Sequence, residues 1–418
     1  MRISAKILLC VWLGLFAIYQ TGFGQDTVKI MGYNILNYGA NASDTIVRHP
    51  YYRTVIQATN PDILVIEEIL SQNAVNVYLN KVMNLAGSGT YQAGVFIDGF
   101  DSDNAIFYKA SKFVFISNIP IHTALRDISE FKLRHIASGD TIRLYAVHLK
   151  ANNTTQDRQQ RAAEVDSLRK VTNLLPNGAN FVVMGDYNIY GSDEPAYIKL
   201  KQVISGNEGH VLDAFNLTGT WNNSAYAIYH TQSPRVRSFG GGATGGMDDR
   251  FDMILYSKGV NDPGGITLIP GTISAYGNDG NHFNDSINRP PNNAVPQNIA
   301  NALHYAADHL PVIALLVFEN IISVNNQSEI AASFRLYQNY PNPFNPNTSI
   351  SYELRVTSDV KLTVFDITGK HTADLVDRKQ NAGKHEVDFS GEGLPSGVYI
   401  YRLTAGDYSE TKKMILLK

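Results

Sequence analysis

Cysteine is nearly absent: the 418-residue chain has one, Cys10, inside an apolar N-terminal run. Once that run is removed no thiol remains, which excludes disulfides and Cys-ligated zinc. Charge is scarce as well. Charged residues make up 17% of the chain, the formal net charge is -3, and no block of like charges occurs, so no broad electrostatic grip on a polyanion is advertised. The glycine-rich stretch 240–246 lacks a following Gly-Lys-Ser/Thr. It therefore makes no nucleotide-binding P-loop and reads as a mobile loop.

Arg2 and Lys6 precede the apolar run 7–18, and Gly22-Phe23-Gly24 follows it. Such a charged, apolar and small-residue order predicts a secretory signal peptide over 1–24. The run falls short of the roughly 20 residues that cross a bilayer core, and Leu9 before Cys10 argues against a lipoprotein signal. No stable membrane span is expected after cleavage. The length predicts two folded units. A first unit over 25–319 is followed by a linker over 320–333, where Ser, Asn, Gln and Ala replace apolar periodicity. Beyond it, short alternating segments at 349–354, 360–366, 383–389, 397–404 and 408–417 predict a small β-sandwich over 334–418.

Within the first unit, apolar strand-like runs keep ending in polar residues. Phe181-Val182-Val183-Met184-Gly185 delivers Asp186 and Asn188, and taken alone this is equally an acidic turn or a catalytic rim. The run 28–36 ends near Asn34, either a cap or a ligand, and 62–66 ends in Glu67 and Glu68. Adjacent residues of a regular strand face opposite ways, so only one of those acids is expected to reach a shared site. Thr141 to Leu149 ends in His148, and Ala307-Asp308-His309 precedes another apolar run. Strand character is also expected over 104–108, 112–117, 250–256 and 123–135, the last carrying Arg126, with helices over 51–59 and 157–175. The Asn/Asp/Pro-rich stretch 276–298 is too long for a mere connection. Its Asp279, Asn281, Asn284 and Asp285 could bind structural Ca²⁺, though a solvated loop fits the spacing better.

Collected, the strand-end residues are Asn34, Glu68, Arg126, His148, Asp186, Asn188, Asp252, Asp308 and His309. Oxygen donors without a soft ligand suit Mg²⁺ or Mn²⁺. Two histidines add proton transfer, and Asp186 could orient a nucleophilic water. Metal-assisted phosphoester hydrolysis is the chemistry this inventory fits.

The ordered set Gly-Tyr-Asn34, Pro-Asp-Ile-Leu-Val-Ile-Glu-Glu68, Val-His148-Leu, Gly-Asp186-Tyr-Asn188, Arg250-Phe-Asp252 and Asp308-His309-Leu-Pro-Val resembles the endonuclease/exonuclease/phosphatase superfamily over about residues 26–320. The resemblance implies an α+β fold, a four-layered α/β/β/α sandwich with its site at the rim of the two sheets. It implies that Asn34 and Glu68 hold the metal with Asp308 close by, and that Asp186 and Asn188 position water and phosphate. His148 would contact the phosphate, Asp252 would support a histidine, and His309 would serve as acid/base. Of the two acids, Glu68 is carried over because it precedes Ile69. Arg126 is expected to bind substrate.

Residues 334–418 resemble the sorting domain of the type IX secretion system, through Tyr-Pro-Asn-Pro-Phe-Asn-Pro346, Val-Phe-Asp-Ile-Thr-Gly369, Leu-Pro-Ser-Gly397 and Lys412-Lys413-Met414. That implies an immunoglobulin-like sandwich, contact with the secretion machinery, and export through the periplasm to the surface or medium. A secreted, monomeric, metal-dependent phosphodiesterase is expected, with nucleic acid as the leading substrate. Arg126, Lys150, Arg158, Arg235 and Arg237 are candidate rim contacts for it. A phosphatase or sphingomyelinase-type phospholipase of the same fold is the alternative, and a non-catalytic binding module comes third.

Overall fold

A computed structural model describes residues 25–87, 89–262, 265–319, 334–354, 357–381, 383–406 and 408–417. The expected signal peptide and linker lie outside the described residues. The chain divides into two compact units, Met1–Ile322 and Ser323–Lys418.

In the first unit two sheets face each other. One runs Ile266–Leu268, Val312–Glu319, Gln25–Tyr38, Ile63–Ile69, Asp103–Lys109, Tyr91–Ala93, with Ser274–Ala275 also paired to Val312–Glu319. The other runs Phe113–Ile121, Ile128–His135, Thr141–His148, Phe181–Asp186, Asp252–Ser257, Val211–Leu212. Strand alternation sorts the side chains. Val28 and Ile30 join Val65, Ala146, Val182 and Met184 in the core between the sheets. Met31, Tyr33 and Ile35 face outward onto Tyr52, Val55 and Leu303 of the helices Ala42–Thr59 and Gln297–Ala306. On the far side Val147 and Val183 pack on Val165 and Leu168 of the helix Thr155–Thr172, and on Ala196 of Pro195–Lys201. Layers α/β/β/α result, and burial on both faces explains why these strands read as unbroken apolar runs.

Two parallel pairings fix where the polar ends go. Gln25–Tyr38 pairs with Ile63–Ile69 through the helix Ala42–Thr59, and Thr141–His148 pairs with Phe181–Asp186 through Thr155–Thr172. Parallel strands joined by a helix end at the same edge, so Asn34, Glu68, His148 and Asp186 share one rim. Antiparallel neighbours bring their starts there: Asp252 sits opposite Asp186, and Gly32 sits opposite Val312, three residues past His309.

Several expected boundaries shift. The first helix begins at Ala42 rather than Tyr51. The strand expected over 123–135 begins only at Ile128, because Thr123 and Asp127 close a turn: the Asp127 carboxylate accepts from Thr123 N and the Thr123 hydroxyl donates to Arg126 O. The stretch 276–298 is a folded loop. Asp279 accepts backbone N–H groups of Asn281 and Asn293 and contacts His282 Nδ1, while Asn292 donates to Gly277 O and Ile287 O.

The second unit is all-β. One sheet holds Phe334–Leu336, Asn347–Leu354 and Gly383–Ser390, the other His371–Gln380, Ser358–Asp366, Gly397–Ala405 and Tyr408–Leu416. Tyr352, Leu362, Tyr401, Leu403 and Met414 lie in its core. No helix among the described residues is long and apolar enough to cross a membrane.

Candidate active site

The rim is shaped by backbone irregularities. Between Ile66 and Ile69 the pairing register slips against both neighbouring strands, and Glu68 adopts φ 61. A bulge adds a residue and breaks alternation. This corrects the expectation that one acid must face away: Glu68 stands at the rim, and Glu67 is buried beneath it with neither carboxylate oxygen hydrogen-bonded. Gly185 has φ +128, and a Cβ there would stand 2.2 Å from Val147 O and 2.7 Å from Glu67 Oε1. Only glycine fits that turn, and it delivers Asp186. Asp186 Oδ1 then accepts from Asn188 N at 3.0 Å, while Asn188 Nδ2 donates to Leu149 O at 3.2 Å.

Glu68, His148 and Asp186 each place a ligating atom within 4.8 Å of the others, the only such His/Cys/Asp/Glu group among the described residues. His148 Nε2 lies 3.7 Å from both Glu68 Oε1 and Asp186 Oδ2. Asn34 Nδ2 bridges the two carboxylates, donating to Glu68 Oε1 at 2.9 Å and Asp186 Oδ2 at 3.2 Å. A half-buried Glu68 and a buried Asp186 held apart only by an amide NH₂ and an imidazole call for positive charge between them. Oxygen-rich donors of this kind fit a hard divalent cation.

Beside this group His309 Nδ1 meets Asp252 Oδ2 at 2.7 Å, and its Nε2 lies 3.7 Å from Asp186 Oδ2. Burial alone would push His309 down, but Asp252 and Asp186 more than reverse it, and its pKa stands well above the ordinary value. Gln232 turns its Nε2 to His309 Nε2 at 2.6 Å, which suits a neutral ring; beside an imidazolium, which donates from both nitrogens, the amide would present its oxygen instead. Burial, with Arg126 and His309 nearby, holds His148 well below the usual range, hence neutral. Burial raises Asp186 to about 7 against the pull of His309. Glu68 is raised by burial and then by Asp308.

Asp308 stands outside the tight group. Its Oδ2 accepts from Ala243 N at 2.5 Å, and its Oδ1 has no hydrogen-bond partner. Arg126 braces the rim from behind, donating to His148 O, Leu149 O and Asp101. Lys150 pairs with Asp157, Arg158 donates to Asn153, and Arg237 is exposed. Arg235 is not a rim contact, because it is fully buried. Sequence reasoning missed Gln232, and also Thr231, whose hydroxyl accepts from Phe251 N and Asp252 N. A Thr-Gln pair in a stretch without apolar periodicity carries no signal of its own. Nor did the glycine run, read as mobile, reveal that Gly242 and Ala243 pack against Asp308.

Buried acids make stability pH-dependent. Burial raises Asp186 and Asp249 to about 7 and Asp103 to about 6. The native state keeps protons there that the unfolded chain releases near pH 4, so this contribution is complete below that pH and lost as pH rises through 7. Burial lowers His49, His148, His210, His230 and His304, whose contribution runs the opposite way below pH 7, so the acids are read above it. With chelator present, thermal melts should give a higher Tm at pH 7 than at pH 8.5, and Mg²⁺ should recover part of the loss at pH 8.5. A Tm that climbs steadily from pH 7 to 8.5 in chelator would contradict this.

The model of the endonuclease/exonuclease/phosphatase family matches residues 31–299, and that of the secretion system C-terminal sorting domain matches residues 338–417. The first match ends before Asp308 and His309, which the fold nonetheless brings to the rim. No curated protein matches the chain. Among solved structures, truncated Caenorhabditis elegans TDP2 is similar at 19% identity, covering 70% of this chain and 98% of its own, with a TM-score of 0.44. The human Nocturnin catalytic domain is 17% identical over 71% of this chain and 98% of its own, with a TM-score of 0.45. A Bacteroides thetaiotaomicron endonuclease/exonuclease/phosphatase family protein is 18% identical over 73% of this chain and 100% of its own, with a TM-score of 0.42.

Proposed function

Because the chain belongs to the endonuclease/exonuclease/phosphatase family, whose members hydrolyse phosphoric esters, we propose that it is a Mg²⁺- or Mn²⁺-dependent phosphodiesterase that cleaves nucleic acid. Its sorting domain addresses it through the type IX secretion system to the cell surface or the medium. The observation that carries the reading is the Glu68, His148 and Asp186 group within 4.8 Å, set beside the Asp252–His309 pair.

Glu68 would hold the cation with Asp308 in the same field, Asn34 would join it on turning its amide oxygen in place of the NH₂ that bridges the two carboxylates, and His148 and Asp186 would border it. When bound, the cation polarises a phosphoryl oxygen and offsets charge on the leaving oxygen. The chain's own groups do the rest. Asp186 takes the proton of the attacking water, a task its position between His148 and His309, 3.7 Å from each Nε2, suits. Asn188 and neutral His148 orient the phosphate by hydrogen bonds. His309, kept protonated by Asp252, donates a charge-assisted hydrogen bond and a proton where negative charge builds.

Nucleic acid is favoured as substrate by the extracellular address and by Lys150, Arg158 and Arg237. A phospholipase-type reading has one observation in its favour, Phe100, which is 94% exposed on the loop before the strand Asp103–Lys109. Asp98, Asp101 and Asp103 flank it, which opposes an anionic bilayer. Incubation of the purified protein with plasmid DNA, RNA, a phosphomonoester panel and phospholipid vesicles, in Mg²⁺ and then in EDTA, decides between them. Mg²⁺-dependent cleavage of DNA or RNA is expected. Turnover confined to another arm would reassign the substrate, and none in any arm would favour a binding module.

A further inference from the structure

Between Thr231 and the strand Asp252–Ser257 the chain makes an excursion tied at its base. Ser233 N donates to Gly246 O at 2.9 Å, and Gly246 N donates to Arg235 O at 3.2 Å. Inside it the fully buried Arg235 donates from Nη1 to Phe239 O at 2.6 Å. The Ser233 hydroxyl donates to Ala243 O at 3.0 Å. Glycine-rich backbone would otherwise lose much entropy on ordering, so these ties select one conformation. What that conformation delivers is specific. Ala243 N–H reaches Asp308 Oδ2, and Gly242, at φ +80, packs where a Cβ would stand 2.6 Å from that same oxygen and 2.8 Å from Leu36 Cδ1.

We infer that Arg235 and the glycine loop it anchors position Asp308, clamping Oδ2 so that Oδ1 is left free to face the cation. The inference rests on the proposed metal-dependent function. Arg235 suits the task because its Nη1 holds Phe239 O, at the start of the glycine run, while its charge lies in the field of Asp308. Its Nε and Nη2 have no hydrogen-bond partner, nor does Asp308 Oδ1. Buried groups of this kind are retained where they do work on a neighbour or on ordered water. Arg235 touches neither substrate nor reacting atoms, so it is a positioning residue.

The test uses the full chain with Mn²⁺ as probe, followed by calorimetry and, separately, by kcat and KM. Gly242→Ala and Arg235→Lys, checked as folded by circular dichroism, should each weaken Mn²⁺ binding about tenfold, on the scale of lost supporting contacts at metal sites. kcat should fall while KM holds. In an Asp308→Asn background, Gly242→Ala should weaken binding by less than about twofold more, since both act through one carboxylate. Unchanged Mn²⁺ affinity in both variants, losses that multiply fully in the Asp308→Asn background, or no Mn²⁺ binding by the parent would each overturn the inference. Should Arg235→Lys fail to fold, Gly242→Ala and Ser233→Ala decide. A parent that binds Mn²⁺ yet hydrolyses no ester would sink the proposed function while leaving the affinity comparison to decide the clamp.

Discussion

Asp186→Asn is expected to lower kcat by about 10³-fold, within the range a positioned general base contributes, with KM changed little. The substitution is nearly isosteric and keeps one structural contact, since an amide oxygen can still accept from Asn188 N as Oδ1 does at 3.0 Å, while the contact of Oδ2 with Asn34 Nδ2 is given up. It removes the group that takes the proton from water. It also relieves a buried carboxyl that burial has pushed to about 7, so at pH 8 the variant should melt no lower than the parent. Saturating-metal kinetics beside a thermal melt separate the two effects. A variant that loses activity only in proportion to lost folded protein would argue for a structural Asp186.

Glu68→Gln should act on the cation instead. Glu68 is the rim acid at the bulge, accepting from Asn34 Nδ2 at 2.9 Å and from Asn37 N at 2.9 Å. Replacing a carboxylate by an amide removes the formal charge a hard divalent ion binds and leaves one acceptor oxygen for two donors that now bond to Oε1 and Oε2 separately. Mn²⁺ affinity measured by calorimetry should fall at least about 100-fold, roughly 2.7 kcal/mol, and hydrolysis at fixed Mg²⁺ should fall with it. High Mg²⁺ should restore part of the Glu68→Gln rate and none of the Asp186→Asn rate. Equal rescue of both would mean that the two carboxylates share one role.

The strand ends were legible because a strand buried on both faces reads as an apolar run, and the polar residue that ends it stands out. That is how Asn34, His148 and Asp186 were found; the parallel pairings then required them to share a rim, and an antiparallel pairing sets Asp252 opposite Asp186 there. Glu67 and Glu68 were harder, since alternation predicts opposite faces and a bulge suspends that rule. Gln232 was out of reach, its contact with His309 lying across 77 residues of chain. The glycine run looked mobile because its order comes from Ser233, Arg235 and Asp308, not from its own residues. In the second unit the strand His371–Gln380 escaped notice because it shows no regular apolar alternation, with Val376 its one buried position.

The most direct measurement is the initial rate of hydrolysis of one defined phosphodiester by parent and Asp186→Asn as Mg²⁺ is titrated up from EDTA. A rate that starts near zero in EDTA, saturates with Mg²⁺ in the parent and stays about 10³-fold lower in the variant is expected. Hydrolysis that is indifferent to Mg²⁺, or equal in the two proteins, would contradict it.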